Sequence, residues 1–269
     1  MIEYKKEHYN RYINLRRIIL KNKLTNVMTL HYVKLVYRSI LLIAGIIIYI
    51  LTHLKGEHFN LDEFSLRPET FLLLVVWIVY VVEMILRFFP SRHESMGCQK
   101  QFKRNYEPTG RKEIKNVPWW RTFICAAAWI ALNMIFGILY MTDVFDSGIL
   151  ILISLAYGVC DMICILFFCP FHTWFLRHRC CTDCRIYNWD FAMMFTPFAF
   201  ILGHWFTASL FIISMILLIR WEITYKARPE RFSTNTNKCL DCAHCPEKLC
   251  KHKTQLKSYI KKNKDRLFK

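Results

Sequence analysis

Residues 41–51 read LLIAGIIIYIL, eleven positions without a charge. They lie inside a longer run, Leu35–Leu54, in which Arg38 is the only Lys, Arg, Asp or Glu. Twenty helical residues at about 1.5 Å per residue reach about 30 Å, the thickness of a bilayer's hydrocarbon core. An apolar run of that length predicts a membrane span, because a helix packed in a globular core shows polar residues on one side.

Three further runs repeat the pattern. One extends from Thr70 to Phe89 and is entered at Pro68, whose missing N–H is harmless in a first helical turn. The others are Thr122–Met141 and Gly148–Phe168, joined by the short polar link Thr142-Asp143-Val144-Phe145-Asp146-Ser147. The last apolar region, Phe191–Ile219, is too long for a single untilted helix: its 29 residues would reach about 43 Å. It reads better as a hairpin, Tyr187–Leu202 and Trp205–Tyr225, turning at Gly203-His204. The predicted fold is therefore all-α, a polytopic membrane helix bundle of six transmembrane helices, or five if the last hairpin is one long helix. Hydrophobic residues make up 54% of the 269, and mean hydropathy is positive at +0.21, as this requires. Several Trp and Tyr sit at the ends of the runs, where an amphipathic ring suits the lipid–water boundary.

The formal net charge of +17 admits either nucleic-acid binding or basic cytoplasmic loops. The charges are sorted by loop, which selects the second and leaves no nucleic acid expected. Nine Lys and Arg precede or open the first span, nine lie between Arg87 and Arg121, and fourteen follow from Arg220 onward. Of 37 in all, only Lys55 and Arg67 fall on the opposite side, with Glu57, Asp62, Glu63, Glu69, Asp143 and Asp146. The positive-inside rule then predicts a multi-pass protein of the cell membrane with both termini cytoplasmic. Basic ends on both sides of the final hairpin demand an even number of crossings, the reason for preferring six. Three parts follow: a basic amphipathic N-terminal segment at 1–34, a transmembrane helical domain at 35–225, and a Cys-rich, Lys-rich cytoplasmic tail at 226–269. The first segment places Ile13, Leu20, Leu24, Val27 and His31 near one face and suits an anionic inner leaflet. It shows no apolar core followed by small residues, so no cleavable signal is expected there.

Twelve cysteines are present. Cys239, Cys242, Cys245 and Cys250 form a C-x2-C-x2-C-x4-C run in the tail. Cys180, Cys181 and Cys184 occupy a loop on the same predicted side, with Cys169, His172, His178 or Cys98 available as a fourth ligand. Reduced thiols at close spacing on the cytoplasmic side point to metal ligation rather than disulfides. The compact tail run resembles ferredoxin-type iron–sulfur ligation, which implies a 4Fe-4S cluster. It departs from that pattern in having four residues before the last cysteine and in placing Pro246 after the third. Zinc is the alternative metal, with His244 and His252 as further ligands.

Three polar residues embedded in the runs stand out. Asp161 lies deep in the fourth span, a costly position that implies a partner or a wet cavity. Glu83 has Arg87 one turn on, which predicts an intrahelical pair. Asn133 is placed to bond a neighbouring helix. The inner ends of the last hairpin carry Asp190 and Arg220, predicting a cross-hairpin ion pair. Asp161 is the candidate catalytic residue, and with Glu83, Asp190 and Glu222 it is expected to line one cytoplasm-facing pocket. Cys160 and Cys164, one turn apart beside it, read as small apolar core residues.

Nothing in the chain supplies a phosphate-binding glycine loop, a nucleophile elbow or a paired-histidine zinc helix, which removes those reaction classes. The leading functional expectation is membrane-associated electron transfer through the tail's iron–sulfur cluster to a redox partner protein. A membrane scaffold or transporter with a structural zinc tail is the first alternative. A membrane-embedded enzyme using the acidic site around Asp161 is the second.

Overall fold

A computed structural model describes residues 26–55, 68–90, 96–114, 118–176, 184–241, 253, 254 and 258. Among these the structure is helical, with no strand; a lone antiparallel bridge joins Pro108 and Asn237. The long elements are α1 (Asn26–Leu54), α2 (Pro68–Leu86), α4 (Trp119–Met141), α5 (Ser147–Leu166) and α7 (Trp205–Ala227). Shorter ones are α3 (Met96–Gln101) and α6 (Asp190–Met194). Four of the described helices are long and apolar enough to cross a membrane: Val27–Leu54, Trp119–Met141, Ser147–Leu166 and Trp205–Ala227. Thr70–Leu86, within α2, is a shorter apolar helix.

α1 shows what solvent the bundle is built for. Val33, Val36, Ile40, Ile43, Ile47, Ile50 and Leu54 recur every three or four residues and are all exposed. The opposite face buries His31, Lys34 and Arg38. Apolar out and charged in is the reverse of a water-soluble helix, and it is stable only where the surroundings are hydrocarbon. α4 and α7 expose similar side chains, among them Phe123, Ile130, Ile138, Ile212, Ile216 and Ile223. α5 is the most enclosed of the four, with Leu150, Ile151, Leu155, Met162 and Leu166 in the core.

Helix directions follow from paired contacts. α1 and α5 run antiparallel, since Arg38 meets Asp161 while Tyr49 meets Asp146 further along. α2 and α7 run parallel: the Trp77 indole donates to Ser209 Oγ at 2.8 Å and Arg220 to the Phe88 carbonyl at 2.8 Å. Between α5 and α7 the chain travels back along the bundle. Asp190 bonds Arg87, Phe195 packs edge-on against Tyr80, and Phe200 lies on Gly137. This returning arm differs from the single helix expected over Tyr187–Leu202. It is a chain of short pieces, a 3-10 turn at Arg185–Trp189, α6, and a second 3-10 turn at Thr196–Phe200. Pro197 is the reason, because it has no N–H to continue an α-helical ladder. The turn before α7 lies where expected, with α7 starting after His204.

Local chemistry explains the remaining ends. Asp146 caps α5 by accepting from the Ile149 N–H at 2.8 Å. Gly137 has no room for a side chain, since a Cβ there would overlap the Phe200 ring. α1 is already helical at Asn26, ahead of the span expected from Leu35, and there it buries Val27 and Met28 against Met162, Ile165 and Leu166. Val27 and His31 thus belong to the bundle rather than to a segment lying on its surface. The amphipathic pattern over 1–25 lies outside the described residues.

After α7 the chain folds back over the end of the bundle. Phe232 is buried between Trp221 and Tyr225. Asn237, fully enclosed, donates from Nδ2 to the Lys100 and Arg231 carbonyls at 3.0 and 2.9 Å. Its Oδ1 accepts from the Cys239 N–H at 3.1 Å. The Lys238 N–H adds a bond to the Glu107 carbonyl at 2.8 Å.

Candidate functional site

One end of the bundle gathers charge inside it. Arg38 of α1 is 1% exposed, and its guanidinium reaches three acceptors: Glu83 Oε2 at 2.6 Å, the Gly158 carbonyl at 2.9 Å and Asp161 Oδ2 at 3.1 Å. Lys34, one turn earlier, lies 3.2 Å from Glu83 Oε1, which also accepts from the Tyr37 hydroxyl. Arg87 pairs with Asp190 Oδ2 at 2.5 Å. Arg185 pairs with Glu222, which also accepts from the Trp189 indole at 2.7 Å. Planar guanidinium forks suit such multi-acceptor positions better than an ammonium does.

Two sequence expectations are corrected by this network, and a third, that Asp161 has a partner or a cavity, is met. Glu83 and Arg87 do not pair with each other along α2: each turns to a different helix. The expected Asp190–Arg220 pair is absent among the described contacts, since Asp190 is held by Arg87 and Arg220 donates to a backbone carbonyl. Asp161, which has no partner on its own helix, is neutralised from α1. The physical reason is common to all three. Inside a hydrocarbon-facing bundle a charge takes the nearest opposite charge in space, and tertiary packing decides which that is.

Beside this network is a cavity of about 260 Å³. Trp129, Tyr157, Phe171, Met193 and Met194 supply apolar and aromatic walls, Cys160, Cys164, Cys169 and Cys184 supply thiols, and Asp161 and Asp190 supply carboxylates. Of the four acids expected to share a pocket, Asp161 and Asp190 line this one. Glu83 sits behind it on Arg38, and Glu222 lies with Arg185. Cys160 is exposed and so brings the cavity wall to the outer face of the bundle. Cys160 and Cys164 are therefore cavity residues rather than core fillers. Asn133 bonds across helices as expected, accepting from the Tyr157 hydroxyl at 3.5 Å.

The candidate metal ligands divide sharply. Cys180, Cys181, Cys242, Cys245 and Cys250 lie outside the described residues. Cys184 is buried against Cys125, Leu176 and Ile186 and faces the cavity. Cys239 sits at the docked start of the tail, its thiol 3.1 Å from the Asn105 carbonyl, to which it donates. Burial, with the Glu107 carboxylate second, pushes this thiol up from its ordinary range. Among the described residues no three His, Cys, Asp or Glu side chains come together as a metal site.

Sequence reasoning missed Lys34 and Arg38 as members of the site, counting them only toward orientation, and paired Arg87 with Glu83 rather than Asp190. It also missed Lys253, which reaches back from the tail to donate to the Cys164 carbonyl at 3.0 Å. The signal for Arg38 was present: it is the one charge inside an otherwise apolar run, the kind of residue that marks a partner in a bundle. Nothing in the sequence marked Lys253, one of many lysines in a basic tail. Comparison with protein-family models, with curated proteins and with solved structures finds no match to this chain.

Proposed function

We propose that this chain is a six-crossing redox protein of the cell membrane, with both termini cytoplasmic. In this reading the tail cysteines Cys239, Cys242, Cys245 and Cys250 hold an iron–sulfur cluster. The cluster passes electrons between a soluble redox partner and the bundle. The antiparallel and parallel helix contacts support six crossings, since the arm over 185–200 returns the chain from one end of the bundle to the other. The arm keeps its backbone bonds local, Phe195 N–H to the Phe191 carbonyl and Phe198 N–H to the Phe195 carbonyl, and packs on α2 and α4 through the Phe195 and Phe200 rings.

The observation that carries the redox reading is the way the cysteine run is tethered. Its first cysteine follows the buried Asn237 anchor, and three residues after its last cysteine Lys253 bonds the carbonyl of Cys164. Lys253 thereby ties the chain just beyond the run to a residue that lines the cavity. A metal centre on a free tail has no need of such anchors; one that exchanges electrons with a site in the bundle does. Cys180, Cys181 and Cys184 serve in this reading as a second relay or as thiol chemistry, with Cys184 in the cavity wall.

A second reading is favoured by one observation, that Asp161 and Asp190 face the cavity while buried cations hold them. This is the membrane-embedded enzyme, with Asp161 handling a proton. The two are separated by anaerobic purification of the full chain followed by iron, zinc and acid-labile sulfide analysis. Iron and sulfide in near-equal amounts support the redox reading. One zinc per chain selects the scaffold with a structural tail, and absence of metal leaves the acidic site as the functional centre.

A further inference from the structure

The cavity has the features of a ligand site in its own right, apart from any metal. Asp190 lines it, and its side chain is only 6% exposed. One carboxylate oxygen, Oδ2, is taken by Arg87; the other, Oδ1, is buried with no partner among the described residues. A buried carboxylate oxygen without a donor costs free energy, and a donor brought by a ligand would recover it.

The surroundings say what kind of donor. Lys34, Arg38 and Arg87 are paired with Glu83, Asp161 and Asp190, three cations on three carboxylates, and Lys253 donates to the carbonyl of Cys164 in the cavity wall. A cationic head would crowd these cations, and an anionic head would meet two carboxylates in the cavity wall. A neutral hydroxyl donor meets neither penalty. The body of the ligand is set by the walls. Trp129, Tyr157 and Phe171 present ring faces and edges, and Met193 and Met194 present polarisable sulfur, all of which favour an aromatic ring over a bare chain. Size decides the number of rings. An apolar cavity of about 150 Å³ holds one benzene, so about 260 Å³ accommodates one substituted or two fused rings. The exposed Cys160 at the wall gives a lateral route from the hydrocarbon for any attached chain.

We propose that this cavity binds a lipid-soluble hydroxyaromatic molecule, its ring between Trp129, Tyr157 and Met193 and its hydroxyl donating to Asp190 Oδ1. The proposal does not depend on the tail's metal. It concerns binding alone.

The test uses the full chain in lipid nanodiscs and radiolabelled 1-naphthol, with uptake by empty nanodiscs subtracted. One saturable site per chain is expected. 1-Methoxynaphthalene keeps the rings and loses the donor, and it should compete at least about tenfold less well, the worth of one hydrogen bond to a charged acceptor. 1-Decanol keeps the hydroxyl and loses the rings, and it should also compete at least tenfold less well. Asp190→Ala should weaken binding by a similar factor. Should that variant fail to fold, Met193→Trp fills the cavity, keeps the Arg87–Asp190 pair, and should abolish the saturable component. Uptake no greater than that of empty nanodiscs, equal competition by 1-methoxynaphthalene or 1-decanol, or unchanged binding in Met193→Trp would each overturn the proposal. A metal-loaded chain that fails to bind 1-naphthol refutes the cavity assignment alone, and a metal-free chain that binds it refutes the redox reading alone.

Discussion

Replacing Arg38 by Met tests whether the buried charges organise the bundle. Met retains most of the apolar stem but removes the guanidinium, which bonds Glu83, Asp161 and the Gly158 carbonyl. Glu83 keeps a partner in Lys34 at 3.2 Å. Asp161 loses the ion-pair partner it has among the described residues, Arg38. Removing one member of a buried pair costs about 3–5 kcal/mol, most of it the penalty of the charge left behind. At about 2–4 °C per kcal/mol for a chain of this size, the midpoint of thermal unfolding should fall by roughly 6–20 °C. The double variant Arg38→Met/Asp161→Asn removes the stranded charge and should recover a substantial part of the loss, a coupling that a double-mutant cycle reads directly. The assay is thermal unfolding in one detergent at one scan rate, with Ile40→Ala as the control on the exposed face of the same helix. If Arg38→Met melts within about 1 °C of the parent, or the double variant melts no higher than the single, the buried network is not a structural centre.

Asp161→Asn should leave the chain inserted and folded, because an amide still accepts from Arg38, yet lower turnover in whatever activity is assayed; an Asp161→Leu chain with full activity would reduce the residue to a tolerated polar position. Gly137→Ala should destabilise by about 1–3 kcal/mol through overpacking against Phe200, measured by the same unfolding assay, and adding Phe200→Ala should cost less than the two changes summed. Asn237→Ala removes three hydrogen bonds at the docked start of the tail, so limited proteolysis should cut after α7 much faster in the variant, and equal rates would mean the tail is not held there. Accessibility reporters at residue 145 should read outside, and those at 183 and 269 inside; opposite sides for the last two would remove the returning arm as a crossing.

Most of the helical layout was legible because it rests on local pattern. Apolar runs of membrane length, Pro68 at a first turn and the polar link around Asp146 each act within a few residues, and the observed helices fall on them. What failed was what depends on partners distant in sequence. Glu83 and Arg87 stand at helical spacing, and one sequence alone favours pairing them. Their actual partners, Arg38 and Asp190, lie 45 and 103 residues away. The broken arm was a different kind of miss. Pro197 was there to be read, but an apolar run from Phe191 onward outweighed it in a hydropathy pattern that takes no account of missing N–H groups. The cavity was half legible. Asp161 and Asp190 were expected in one pocket and line it together, while Glu83 and Glu222, expected beside them, are held elsewhere by Arg38 and Arg185.

Whether the tail carries a redox-active cluster tethered to the bundle is decided by reducing the full chain under anaerobic conditions. Dithionite-reduced protein should give the low-temperature EPR signal of a single reduced iron–sulfur cluster. Cys242→Ser should abolish or severely weaken that signal while the bundle still folds. An EPR-silent sample carrying one zinc per chain, or a signal that survives Cys242→Ser unchanged, would contradict the redox reading.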